Sequence, residues 1–162
     1  MSSNKDDGGT SQEDAQDIKL AHRYRLSLTT SPTQSSFRVV AIVFYRDSCE
    51  STASSSNLAC PVADNQRDSR QYVVGTNDEP GGFIGGSICA ERAALVQLRF
   101  LPNAKVTKIV IVTDHEKPIS PGMLCREFMA GHSSVPWDVP MLLAGTERSS
   151  DVGYNITKTT LR

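Results

Sequence analysis

Residues 108–113 read Lys-Ile-Val-Ile-Val-Thr, so four β-branched apolar side chains stand side by side. Neighbours along a strand point to opposite faces, and a strand of this composition is therefore buried on both. Residues 37–45, Phe-Arg-Val-Val-Ala-Ile-Val-Phe-Tyr, form a second near-continuous run rich in β-branched and aromatic residues and also predict a buried strand. Strands of this kind need layers on both sides of their sheet. That requirement rules out many architectures before any other element is placed.

The remaining pattern supplies those layers. Ser11-Gln12-Glu13-Asp14 resembles a helix start, and Ile18, Leu20, Ala21, Tyr24 and Leu28 share one face at 3.6-residue spacing, predicting a helix over 12–28. Residues 71–75 predict a short strand, and a Gly-rich loop at 81–86 leads to a helix from Cys89 to about Phe100, stopped by Leu101-Pro102-Asn103. Beyond the 108–113 strand, a loop with Asp114, His115 and Glu116 leads to a third helix near Pro121, with the proline in its first turn. Residues 141–144 and 154–160 predict further strands. The expected fold is a three-layer α/β/α domain over residues 11–162, with a mixed sheet of about five strands. Polar residues 1–10 are expected to be a disordered tail, and Ser-rich residues 46–70 a solvated insertion between two strands.

Composition narrows the function. With 162 residues, 38% of them hydrophobic, the chain can build one core. A net charge of −1, without Lys or Arg runs interleaved with aromatics, argues against a polynucleotide track. No apolar stretch approaches the roughly 20 residues of a membrane span, and the first 16 residues lack the apolar middle of a signal peptide. A soluble cytoplasmic protein is expected. Cysteines 49, 60, 89 and 125 are too sparse for a disulfide framework and read as metal-binding, catalytic or buried.

Two segments carry chemistry. Cys89 and Glu91, separated by one residue, open one helix, and Pro121 and Cys125 open another. This resembles zinc-dependent base deaminases, which place a ligand, one spacer and a glutamate at one helix start and Pro-Cys-x-x-Cys at another, the zinc activating a water and the glutamate moving protons. Here Cys89 and Glu91 fill the first half, and Pro121 and Cys125 part of the second. Gly122 stands where the other thiolate belongs and has no side chain to bind metal. Both cysteines sit at helix starts, where the dipole is expected to poise them as thiolates. Glu91 as general acid/base would take the water proton, protonate ring nitrogen N3 and donate to the leaving amine. His115, just past the 108–113 strand, is the first candidate for the missing ligand. Cys60, Cys49, His132 and a second water are the others.

Residues 31–144 resemble the cytidine deaminase family. Ser31-Pro32 with Phe37-Arg38-Val39 is similar to its Ser-Pro…Phe-x-Val element, and Asn77-Asp78-Glu79 to its Asn-x-Glu. Cys89-Ala90-Glu91-Arg92 matches its Cys-Ala-Glu-Arg, and Ser120-Pro121…Cys125-Arg126 its Ser-Pro-Cys-x-x-Cys-Arg. The resemblance implies a zinc hydrolase converting cytidine and deoxycytidine to uridine and deoxyuridine in pyrimidine salvage, assembled as a homotetramer or homodimer. It further implies that Asn77 and Glu79 hold the ribose 3′-hydroxyl, Phe37 contacts the base, and Arg92 hydrogen-bonds the zinc thiolates. Four departures stand out: Gly122, Glu127 in place of Gln, the long 46–70 insertion, and a chain that stops at Arg162 where the family runs on through a Leu-Leu-Pro segment. The rival reading is a catalytically inactive deaminase-fold protein that binds a nucleoside or a partner subunit. An editing deaminase acting on DNA or RNA conflicts with the absence of a basic surface.

Overall fold

The computed structural model describes residues 10–47, 70–147 and 154–161. Nearly all of the expected tail and insertion lie outside the described residues, and so do Cys49 and Cys60.

Helix α1 (Gln12–Ser27) starts at Ser11, whose hydroxyl accepts a 3.1 Å hydrogen bond from the Asp14 N–H. It is followed by β1 (Val39–Asp47), β2 (Gln71–Thr76) and α2 (Ala90–Leu95), which tightens into a 3-10 turn at Val96–Phe100. Then come β3 (Ala104–Thr113), α3 (Met123–Gly131), β4 (Pro140–Glu147) and β5 (Tyr154–Thr160). The strands form one sheet in the order β2-β1-β3-β4-β5, in which β3 and β4 are parallel and every other pair is antiparallel.

The two-residue period of the strands sorts their side chains into two cores. Val40, Ile42, Val110, Val112 and Leu142 face α1, where they meet Ile18 and Ala21. Ala41, Val43, Ile109, Ile111 and Leu143 face the opposite way, toward Ala94 and Leu95 of α2 and Met129 of α3. The result is the expected α/β/α sandwich. Each fully buried side chain of the Ile42 or Ile109 kind contributes about 1.5–3 kcal/mol.

Several boundaries differ from the sequence reading, and three have a clear physical reason. β3 begins at Ala104, because its first half alternates buried Ala104 and Val106 with exposed Lys105 and Thr107, a one-faced pattern outside the continuous apolar run. β1 extends through Arg46 and Asp47, which pair with Lys105 and Ala104 instead of opening the insertion. Pro121 precedes α3: Gly122, with an extended ψ of 165°, is the N-cap, so the first helical residue is Met123.

Candidate metal centre and adjoining cavity

Helices α2 and α3 bring their N-terminal ends together beneath the sheet. Cys89 is the N-cap of α2, Glu91 the second residue of that helix, and Cys125 the third residue of α3. The Cys89 and Cys125 sulfurs and a Glu91 carboxylate oxygen all lie within 4.8 Å of one another. Two features of the chain fix α2 in place. A Cβ on Gly75 of β2 would sit 2.3 Å from the Ala90 carbonyl oxygen and 2.4 Å from the Ala94 nitrogen, so only glycine lets the helix lie this close to the strand. Asp78 and Ile88 also exchange two 2.9 Å backbone hydrogen bonds, which draw the 77–79 segment alongside Cys89.

The cluster is polar, with Cys89 half-buried and the other two residues buried. Cys125 is 2% exposed and Glu91 5%. Burial pushes the Glu91 carboxyl above its ordinary value, against smaller opposing pulls from its own backbone N–H, the Arg92 charge and the Cys125 thiol. The Cys125 thiol is pushed up to about 12, first by burial and then by the Glu91 charge. This corrects the expectation that the helix start poises Cys125 as a thiolate: in a water-poor setting facing a carboxylate, desolvation and repulsion outweigh the dipole. Loss of the thiol proton must therefore accompany metal binding. Arg92 donates to the Cys89 sulfur at 3.7 Å and to the Ser87 carbonyl at 3.1 Å. Thiols and carboxylates are zinc ligands, and three potential anions gathered in one buried spot are costly without a cation. These residues fit zinc.

A cavity of about 190 Å³ opens above the cluster and is also lined by Phe37, Asn77, Glu79 and Gly122. Asn77 and Glu79 have partners within the fold. The Asn77 amide accepts from the Val39 N–H at 2.8 Å and donates to the Phe37 carbonyl at 2.7 Å, extending the edge of β1 by side chain. Glu79 accepts from the Ser35 N–H at 2.7 Å and from the Ser35 hydroxyl at 2.8 Å. That clasp fixes the turn just before Phe37, in which Ser36 has a φ of 54°. Burial tends to raise the Glu79 carboxyl, but the Ser35 and Asn77 hydrogen bonds outweigh it and hold it below the usual value.

The other candidate ligands lie elsewhere. His115 does not line the cavity; its ring is exposed, and Nδ1 accepts from the Lys117 N–H at 3.1 Å. The loop is held there because β4 approaches it closely: a Cβ on Gly145 would be 2.1 Å from the Glu116 carbonyl oxygen. His132 caps the C-terminal end of α3, away from Cys125, and its Nδ1 accepts from the Ser134 N–H at 3.2 Å. Glu127 is exposed. Gly122 lines the cavity, and a Cβ there would meet nothing within 4 Å, so its backbone does not require glycine. A larger hollow of about 590 Å³ lies at the other end of β1, beside Phe44, Arg70 and Lys108, where the chain passes out of the described residues.

The sequence reading missed Gly75, Gly145 and Ser35. A glycine inside a strand is a general sign of close backbone approach and was available for the first two. The Ser35–Glu79 clasp joins residues 44 positions apart and has no local signal.

By sequence, no family model and no curated protein matches the chain. By structure it resembles solved cytidine deaminases. The Burkholderia pseudomallei enzyme superposes with a TM-score of 0.61 at 20% identity, over 89% of each chain. The chain has the cytidine deaminase fold. The Mycobacterium leprae enzyme gives a TM-score of 0.53 at 17% identity, over 76% of this chain and 82% of that one. The Mycobacterium tuberculosis enzyme gives 0.51 at 17%, over 83% and 85%.

Proposed function

We propose that this chain is a zinc-dependent hydrolase that converts free cytidine and deoxycytidine, with water, to uridine or deoxyuridine and ammonia. One observation carries the reading: Cys89, Glu91 and Cys125 converge at a cavity that Phe37, Asn77 and Glu79 also line. Bound zinc, held by Cys89 and Cys125, would supply Lewis acidity that readies a water for attack.

The chain's own residues do the rest. In this reading Glu91 accepts the water proton, passes it to N3 and later delivers a proton to the departing amine. Arg92 offsets the thiolate charge. Asn77 holds the Phe37 backbone in place, so that the Phe37 ring flanks the base, and Glu79, whose Oε1 already accepts from the Ser35 hydroxyl and the Asn77 amide, offers Oε2 to a ribose hydroxyl. A carboxylate at that point repels a 3′-phosphate, so the substrate is the free nucleoside and cytosine within a strand is excluded.

Three further parts of the reading have their own supports. A reducing, cytoplasmic setting suits Cys89 and Cys125, which are both free thiols and must stay reduced to hold metal. Among the described residues, no helix is long and apolar enough to cross a membrane. Assembly with a second copy of the chain is supported by large apolar side chains left in solvent: Phe100, at the end of the 3-10 turn after α2, is 82% exposed, and Met123 and Leu124, in the first turn of α3, are 76% and 68% exposed.

Gly122 favours the rival reading of an inactive binding protein, since it removes a donor. One experiment separates the two: zinc content of protein purified without chelators, paired with a cytidine deamination assay. About one zinc per chain with ammonia release that Glu91→Ala abolishes supports the enzyme; zinc-free, inactive protein supports the binding protein. Equal rates on single-stranded DNA and on free cytidine would overturn the substrate assignment.

A further inference from the structure

Gly122 leaves the zinc shell one thiolate short, and the structure holds another donor within reach. The Glu91 carboxylate is buried and offers an oxygen within 4.8 Å of both sulfurs. Among the described residues, no other His, Cys, Asp or Glu joins this group. The His115 side chain is held against Lys117, and His132 lies at the far end of α3.

We infer that Glu91 is the third protein ligand of the resting zinc site, so that Cys89, Glu91 and Cys125 form a two-thiolate, one-carboxylate set. The inference rests on the zinc reading above and changes the part Glu91 plays in it. A carboxylate oxygen is an ordinary zinc donor, and nothing in the Gly122 backbone competes for the position. The charges also close: two thiolates and one carboxylate are balanced by a divalent cation and the Arg92 guanidinium, which already touches Cys89. An oxygen committed to the metal cannot carry a proton at the same moment. During turnover the proton must then travel on the other carboxylate oxygen or the carboxylate must leave the metal, and a thiolate at position 122 would free both oxygens.

The test measures zinc affinity by competition with a chromophoric chelator in the parent, Glu91→Gln, Gly122→Cys and the double variant. Glu91→Gln in the parent background should weaken binding about 100-fold or more, at or beyond the upper end for removing a group that only supports a ligand. In the Gly122→Cys background the same substitution should change affinity by less than about threefold, because the carboxylate is no longer a ligand. Glu91→Asp retains the charge but withdraws it by one methylene, and should weaken the parent nearly as much as Glu91→Gln. It thereby separates ligation from simple attraction, and serves if Glu91→Gln fails to fold. Equal zinc affinity of parent and Glu91→Gln, or parent-like affinity in Glu91→Asp, overturns the inference and leaves the zinc reading standing. A parent that takes up no zinc overturns both.

Discussion

Gly75→Ala tests whether the close contact between β2 and α2 is what holds the site together. The added Cβ would sit 2.3 Å from the Ala90 carbonyl oxygen and 2.4 Å from the Ala94 nitrogen, whereas ordinary contact begins at 3.4 Å. Both obstacles are helix backbone, which cannot rotate aside as a side chain can. The helix must therefore move away from the strand by about 1 Å, and overpacking of this kind costs about 1–3 kcal/mol. The displacement falls on Cys89 and Glu91, which α2 carries, and not on Cys125, which α3 carries. A shift of about 1 Å between reacting groups can lower turnover on the order of 100-fold, and the two sulfurs should lose zinc affinity together with it. Urea denaturation and chelator competition on the same preparations give both readouts. Gly131→Ala, on α3, is the control: its Cβ meets nothing within 4 Å, and its stability should stay within about 0.5 kcal/mol of the parent. The reasoning fails if Gly75→Ala matches Gly131→Ala in urea midpoint and in zinc affinity.

Asp114, 21% exposed in its side chain, accepts from Arg38 Nε at 2.9 Å and pairs with buried Arg25; Asp114→Asn should cost about 1.5–3 kcal/mol in urea titrations at pH 7. Burial tends to raise the Asp114 carboxyl, but the Arg38 hydrogen bonds and the Arg25 charge hold it below its ordinary 3.8. Its contribution is thus complete above pH 3.8 and is lost as the pH falls through the lower folded value, so parent and Asp114→Asn should converge in acid; a constant gap there contradicts the assignment. Glu79→Gln keeps the shape of the Ser35 clasp but removes its charge, and steady-state kinetics should show KM for cytidine raised roughly tenfold with kcat nearly kept. A fall in kcat at unchanged KM would instead place Glu79 in the chemical step.

The layers of the fold were legible because they follow from local rules. Four adjacent β-branched residues at 109–112 demand cover on both faces, and the structure supplies α1 on one side and α2 with α3 on the other. The Ser11 cap and the 3.6-residue spacing after it place α1 within a residue of its observed end. Boundaries were lost where the signal depends on pairing. Lys105 and Thr107 look like loop residues until Ala104 and Val106 are seen packed beneath the sheet, and Arg46 belongs to β1 only because Lys105 lies opposite.

The site divides along the same line, and Gly122 shows why. Residue spacing reveals that a donor is missing from the second helix start, since an absent side chain is visible in sequence. What stands in its place is not, because the answer depends on how two helices meet. His115 was the natural sequence candidate, being next to a strand end that should open toward the site. Yet Gly145 lets β4 press so close to that loop that the Glu116 carbonyl is fixed against it, and the His115 ring remains in solvent. Meanwhile Gly75 lets α2 lie close on the sheet, with a Glu91 oxygen within 4.8 Å of the Cys89 and Cys125 sulfurs. Two glycines with no chemistry of their own thus decide which side chains gather at the Cys89–Cys125 cluster. A ligand search confined to residues that can bind metal passes over both of them.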